Sequence, residues 1–268
     1  MEFVYNKTAI GYSHIKSNIV CQDYSETFIN NKFKIVTCCD GHGGKIYIRS
    51  DKGAQLASQA VIEVINKYSE RKLESLILNR ALEKIKLEIL CKWNELVEMD
   101  YSNNHFTKEE LKHLDNEQIF KLENNYITAY GTTLNAAILT KNFLIAIQIG
   151  DGGIYFIRNR KIELSFPEND DNAANITDSL CGDKAYNNLY IKAVLRHKYN
   201  GVILCTDGLL GPYQTYSNFY ENFVYPFIRN FKVITKSKIE EMDKFIDSLG
   251  SKIGIGDDVS FSSILYEE

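Results

Sequence analysis

The apolar positions of this chain follow two periods in turn. Phe33-Lys34-Ile35-Val36-Thr37-Cys38-Cys39 is an almost continuous apolar run, which predicts a buried strand. Asp23 to Phe28 predicts its partner, with Asn30-Asn31 as the hairpin turn. Ahead of them, Phe3-Val4-Tyr5 and Ala9-Ile10 predict an edge strand or hairpin, and residues 13–18 a polar loop. From Lys45 to Tyr68 the period becomes helical, with Ile46, Gly53, Ala57, Ala60, Val61 and Val64 on one stripe. A second helix is predicted from Lys72 to Val97, through Leu73, Leu76, Ile77, Ala81, Ile85, Ile89 and Leu90. Residues 100–126 are polar and charged, and read as a helical insertion on the surface. Thr107 to Glu110 and Asp115 to Gln118 both have capping-box spacing there.

The second half opens as a meander of short strands: Leu134 to Leu139, Phe143 to Ile149, Ile154 to Ile157 and Ile162 to Phe166. Turns at Lys141-Asn142, Asp151-Gly152-Gly153 and Asn159-Arg160 predict antiparallel pairing throughout. Residues 167–188 are loop-rich and acidic, and are expected near the strand ends. Strands at Leu189 to Leu195 and Val202 to Cys205, helices at Phe219 to Phe231 and Ile239 to Leu249, and a closing strand at Val259 to Leu265 complete the reading. Helices grouped between strands, rather than alternating with them, argue for α+β and against a doubly wound sheet.

Composition narrows the picture. With 268 residues, three Pro and no Gly/Pro/Ser-rich linker, one domain spanning 1–268 is expected. A formal net charge of −4 gives no reason to expect nucleic acid or an anionic membrane as partner. The six Cys form no Cys-x-x-Cys pair, and Cys38, Cys39 and Cys205 lie in apolar strands, which suits a reducing, cytoplasmic protein. No signal-peptide pattern and no apolar run of membrane-spanning length occurs, and a monomer is expected.

The candidate chemistry lies at the strand ends. Three apolar strands run into Asp-Gly, at Asp40-Gly41, Asp151-Gly152 and Asp207-Gly208, and Gly256-Asp257-Asp258 opens the last strand. A single Asp-Gly is an ordinary turn. Four carboxylate-bearing strand ends without a thiolate or imidazole cluster suit hard cations, Mg²⁺ or Mn²⁺.

These segments carry a family resemblance. Asp40-Gly41-His42-Gly43-Gly44, Gly131-Thr132-Thr133, Gly150-Asp151-Gly152, Thr206-Asp207-Gly208 and Asp257-Asp258-Val259-Ser260 resemble, in order, the motifs of type-2C metal-dependent protein serine/threonine phosphatases. Gly11-Tyr12-Ser13-His14 and Cys21-Gln22-Asp23 resemble the opening of the bacterial branch. The resemblance implies a four-layer αββα sandwich of two antiparallel sheets, with two or three Mn²⁺ or Mg²⁺ ions. It implies hydrolysis of phosphoserine and phosphothreonine monoesters in phosphorylated proteins, by in-line attack of a metal-bridging hydroxide. By resemblance Asp40 bridges two metals, with the Gly41 carbonyl, Asp207 and Asp257 as further ligands. Asp151 then serves a third metal with Asp207, and Asp23 belongs to the same cluster. His42 is the candidate general acid for the leaving alkoxide.

Three positions depart from the pattern. Gln22 stands where many members carry Glu, Asn18 where many carry Arg, and Asp258 where many carry Asn. The last leaves a register choice between Asp257 and Asp258. The missing Arg leaves the phosphate grip to be supplied elsewhere. Arg49, at the edge of the inward stripe of the first long helix, is the expected substitute, and His14 is a second candidate. A structural ion pair is the alternative for Arg49. Two other functions are compatible with the sequence: a phosphatase-like module that docks phosphoproteins with weak turnover, and a phosphomonoesterase for small molecules.

Overall fold

The computed structural model describes residues 2–159, 161–166, 177–213, 215–230 and 235–266. Ten strands form two five-stranded sheets, antiparallel at every pairing. One sheet runs β2 (Asp23–Ile29), β3 (Lys34–Asp40), β4 (Leu134–Leu139), β5 (Phe143–Ile149) and β8 (Tyr190–Leu195). The other runs β1 (Glu2–Ala9), β10 (Val259–Tyr266), β9 (Gly201–Cys205), β6 (Gly153–Arg158) and β7 (Lys161–Leu164). The β2–β3 hairpin forms where the sequence placed it: Asn30 Oδ1 accepts from the amides of Lys32 and Phe33.

Three apolar clusters define the layers. Val36, Ala137, Leu144, Phe156, Val202 and Ile264 fill the space between the sheets. Helices cover the outer faces, so β4 and β5 are buried at every position. Over the first sheet lie α2 (Ser50–Lys67), α3 (Glu70–Leu78) and α4 (Leu82–Asn103), packed through Ala57, Val61, Ile89 and Trp93. Over the second lie α9 (Tyr216–Phe219), α10 (Tyr225–Asn230) and α11 (Lys236–Leu249), packed through Phe219, Phe223, Phe227 and Ile246. Shorter helices decorate the ends: α1 (Tyr12–Ser17), α5 (Lys108–Leu111), α6 (Asn116–Asn124), α7 (Ala185–Asn188) and α8 (Asp207–Leu210). This is the expected α+β sandwich of two antiparallel sheets flanked by helices. Among the described residues, no helix is long and apolar enough to cross a membrane. All six cysteines are free, and Cys38, Cys39 and Cys205 are buried.

The structure departs from the sequence reading in four places. Residues 13–18 are largely helical, as α1. The first long helix begins at Ser50 rather than Lys45. The second is broken into α3 and α4 at Arg80, whose φ of 54° no helix accommodates. The meander is also two hairpins and not one. β5 pairs with β4 and β8, while β6 pairs with β7 and β9, so residues 150–152 carry the chain from one sheet to the other. Gly150 makes that step at φ 104°, and a side chain there would meet Thr133. Of the predicted acidic loop, residues 167–176 lie outside the described residues.

Candidate metal centre

Antiparallel pairing gathers the strand ends that bear carboxylates. Asp40, the last residue of β3, stands across the ladder from Asp23, the first of β2. The end of β9 and the start of β10 are neighbours in the same way, through Cys205 and Phe261. Asp207 therefore lies just beyond β9 and Asp257 just before β10, at the same end of the sandwich. Asp151 sits in the crossing between the sheets.

The backbone around Asp40 is clamped by Gly131-Thr132-Thr133. The Asp40 amide donates to Thr133 Oγ1 at 2.9 Å, and its carbonyl accepts from the Thr133 amide at 2.8 Å and Thr132 Oγ1 at 2.9 Å. The Gly41 amide donates to the Gln22 carbonyl and the His42 amide to the Gly131 carbonyl. A side chain at Gly41 would lie 2.7 Å from the carbonyl oxygens of Gln22 and Ser50, so the turn after Asp40 has no room for one.

Carboxylate oxygens of Asp40, Asp151 and Asp207 lie within 4.8 Å of one another. They line a cavity of about 210 Å³ together with Asp23, Asp257, Asp258, the Gly41 turn, His14, Gln22, His42 and Thr177. Among the described residues no Lys or Arg lines it. Burial, then the charges of Asp23 and Asp207, push the Asp40 carboxyl well above the usual carboxylate range. Burial, then repulsion from Asp151 and Asp257, raises Asp207, although a hydrogen bond with Asp40 opposes it. Asp23 is raised chiefly by burial, which outweighs the hydrogen bond that Thr206 Oγ1 donates at 2.7 Å. Crowded carboxylates that resist ionisation together need a compensating positive charge. The donor set, all oxygen with no thiolate, fits Mn²⁺ or Mg²⁺.

His42 is half-buried at the cavity wall, with the Tyr47 ring edge-on at 4.9 Å. Burial lowers its pKa, and the charge of Asp151 pulls the other way. Its ring nitrogens have no hydrogen-bond partner among the described residues. His14 also lines the cavity, with Nδ1 2.9 Å from Asp258 Oδ2.

The two carboxylates at the start of β10 have different surroundings. Asp258 is buried, and it accepts from the backbone amides of Gly11 and Gln22, each at 2.6 Å, as well as facing His14. Asp257 is exposed and, among the described residues, accepts only from the amide of Asp258. Of the two, Asp257 is the carboxylate not tied to a neighbouring segment, and it stands outside the tight trio.

Arg49 is the correction. It precedes α2 instead of lying in its first turns, and its guanidinium faces away from the cavity into the helical insertion. Nε and Nη2 bond the two oxygens of Glu110 at 2.7 and 3.2 Å. Nη1 bonds the Asn104 carbonyl, the Tyr130 hydroxyl and Asp100, and Nη2 also bonds the His105 carbonyl. With every nitrogen engaged, Arg49 is not the phosphate grip. The alternative reading of Arg49, a structural ion pair, is what the geometry shows, with Glu110 and Asp100 as the partners. Thr206 and Asp258 act as supporting residues, a role that sequence reasoning did not give them. Both sit inside the Asp-Gly and Asp-Asp motifs, which was the available signal.

Residues 10–246 match the family model for protein phosphatase 2C. No curated protein matches the chain. Among solved structures, the serine/threonine phosphatase PstP/Ppp of Mycobacterium tuberculosis is 14% identical, with a TM-score of 0.58 over 100% of this chain and 99% of that one. The catalytic domain of a serine/threonine protein phosphatase PstP in complex with two manganese ions is also 14% identical, with a TM-score of 0.58 over 98% of this chain and 97% of that one. Serine/threonine phosphatase Stp1 of Staphylococcus aureus is 16% identical, with a TM-score of 0.56 over 100% and 96%. At such identities the structural likeness speaks for the fold, whereas the family model spans most of the sequence and takes in His14, Asp40, His42, Asp151 and Asp207. The chain belongs to the protein phosphatase 2C family, a family of serine/threonine phosphatases.

Proposed function

We propose that the chain is a metal-dependent phosphatase acting on phosphoserine and phosphothreonine in proteins. One observation carries this reading: three carboxylates from three separate segments converge within 4.8 Å in a cavity that, among the described residues, no Lys or Arg lines. Asp40, Asp207 and Asp151 would hold the divalent cations, with Asp257 and the Gly41 carbonyl at the margin and Asp23 behind Asp40. Bound there, Mn²⁺ or Mg²⁺ would acidify water and offset the charge of a phosphoryl group.

The chain's own residues supply the rest. Thr132 and Thr133 fix the Asp40 main chain, so its carboxylate is pre-positioned. Thr206 orients Asp23, and Thr177 donates to Asp151 Oδ2 at 2.6 Å. The leaving group is a serine or threonine alkoxide and needs a proton. His42, unpartnered in the cavity wall, donates it. The cavity opens to solvent, which suits a phosphoresidue carried on a protein chain.

A phosphothreonine peptide assay with Mn²⁺, with Mg²⁺ and with chelator tests the proposal. Turnover that requires the metal supports it. Metal-dependent hydrolysis confined to small phosphomonoesters would replace protein with metabolite as the substrate class. Stoichiometric phosphopeptide binding without turnover would make the chain a docking module.

A further inference from the structure

The cavity presents carboxylates to a substrate that is itself an anion. Cations between them answer part of that problem, but a phosphoryl group still turns oxygens toward the protein. The polar side chains that line the cavity and are not carboxylates are His14, Gln22, His42, Thr133 and Thr177. Gln22 spends its amide nitrogen on Ser50 Oγ at 2.7 Å and the His42 carbonyl at 3.4 Å. Thr133 is buried against the Asp40 amide, and Thr177 donates to Asp151. His42 serves the leaving group. His14 remains.

We propose that His14, held by Asp258, is the residue that grips the phosphoryl oxygens of the substrate. The proposal rests on the phosphatase reading above and deepens it. Asp258 is fixed from two directions: Oδ1 accepts from the Gly11 amide, and Oδ2 accepts from the Gln22 amide. Oδ2 is also 2.9 Å from His14 Nδ1. A carboxylate that already accepts two N–H groups acts as acceptor toward the ring too, so Nδ1 carries the proton. The element bearing His14 is anchored as well. The Tyr12 amide donates to the Gly250 carbonyl, and both the amide and the hydroxyl of Ser13 donate to the Gly256 carbonyl. A Cβ at Gly11 would sit 2.4 Å from the Asp257 carbonyl carbon, so the approach of α1 to the start of β10 depends on glycine.

The consequence is an imidazole whose orientation is settled before substrate arrives. Nε2 has no partner among the described residues, and the ring lines the cavity. A phosphoryl oxygen against Nε2 shares with it one proton, taken up from water with the substrate, so the ring bridges Asp258 and the phosphoryl group. One hydrogen bond goes to Asp258 and the other to a non-bridging oxygen. Asp258 touches no substrate; it is a positioning residue that acts through His14.

The test compares wild type, His14→Ala, His14→Gln and Asp258→Asn, all Mn²⁺-loaded. Four quantities are read: KM and kcat on a phosphothreonine peptide, the inhibition constant of inorganic phosphate, calorimetric Mn²⁺ affinity and melting temperature. Loss of a charge-assisted hydrogen bond predicts that His14→Ala raises both KM and the phosphate inhibition constant about 10–100-fold. The changes in kcat and Mn²⁺ affinity are smaller. His14→Gln returns a donor near the Nε2 position and recovers part of the loss. Asp258→Asn raises KM in the same direction, and long-range ¹H–¹⁵N spectra show the His14 ring released from a single tautomer. Unchanged KM and phosphate inhibition in a folded His14→Ala protein would overturn the proposal. So would a collapse of Mn²⁺ affinity in that variant, which would put His14 in the metal's surroundings. If wild type itself turns over no phosphopeptide, the phosphatase reading fails instead. Calorimetric phosphate binding to the Mn²⁺-loaded proteins then still decides whether His14 grips phosphate.

Discussion

Replacing Arg49 with Met isolates what the guanidinium does, because Met keeps an apolar stem of similar reach. The side chain is only 4% exposed, and it stacks over Phe106 at 4.8 Å while holding Glu110, Asp100, Tyr130 and two carbonyls. Removing one member of a buried ion pair costs about 3–5 kcal/mol, since its partners are stranded. Here Glu110 and Asp100 are 28% and 20% exposed, so water reaches them once the arginine is gone. The low end applies, about 3 kcal/mol, which for a domain of this size lowers Tm by roughly 6–12 °C. Calorimetry at pH 7 measures it, alongside KM on a phosphopeptide. The difference is also pH-dependent. Burial acts to raise the Glu110 carboxyl, but hydrogen bonds from Arg49 and Thr107 outweigh it and hold its pKa down, at about 2 against an ordinary 4.5. A carboxyl lowered by folding stabilises fully above its unfolded pKa, and that contribution disappears as pH falls through the folded one. The gap in Tm between wild type and Arg49→Met therefore narrows from pH 4.5 toward pH 2. A variant that melts with wild type while its KM rises several-fold would refute this reasoning and return Arg49 to the phosphate.

Three further outcomes follow from the geometry. Asp40→Asn and Asp207→Asn should each reduce phosphopeptide hydrolysis on the order of a hundredfold or more and weaken calorimetric Mn²⁺ binding, whereas intact Mn²⁺ affinity in either would remove that residue from the ligand set. His42→Ala should impair alkyl phosphates about 10²–10⁴-fold and nitrophenyl phosphate far less, since nitrophenolate leaves without a proton; equal losses would rule His42 out as the acid. Gly53→Ala should destabilise the protein despite a helix-propensity gain of about 1 kcal/mol, because the added Cβ would lie 2.0 Å from the Tyr130 carbonyl oxygen, and a raised Tm would show that this contact yields freely.

Periodicity carried the helices and most strands, because burial writes a stripe of period 3.6 or a run of apolar residues directly into the sequence. Ala57, Val61 and Val64 were legible for that reason, and so were both capping boxes. The sheet partner of each strand was not legible. Asp151-Gly152-Gly153 has the composition of a hairpin turn, and nothing local says that β6 leaves β5 for β9 across the sandwich. Arg49 shows the same limit from another side. Its burial agrees with the inward position expected of it, although it precedes the helix, but Glu110 lies 61 residues away in sequence and meets it only when the insertion folds back. The carboxylates were legible as strand ends. What distinguishes Asp258 from Asp257 is its hold on the amides of Gly11 and Gln22, which no spacing within the motif reveals.

The pairing of β1 with β10 has a consequence for the chain as it is made. These are the first and last of the described strands, and Glu2 lies opposite Tyr266. β10 is the sole strand neighbour of β1 in its sheet. At a translation rate of about 5–20 residues per second, roughly 10–50 s separate the synthesis of one from the other. Through that interval Phe3, Val4 and Tyr5 leave the ribosome as an apolar strand with both edges open, the arrangement most prone to pair with a neighbouring nascent chain. Expression yield should therefore depend on holdase chaperones more than the stability of the finished fold would suggest, and slowed translation between β1 and β10 should aggravate aggregation.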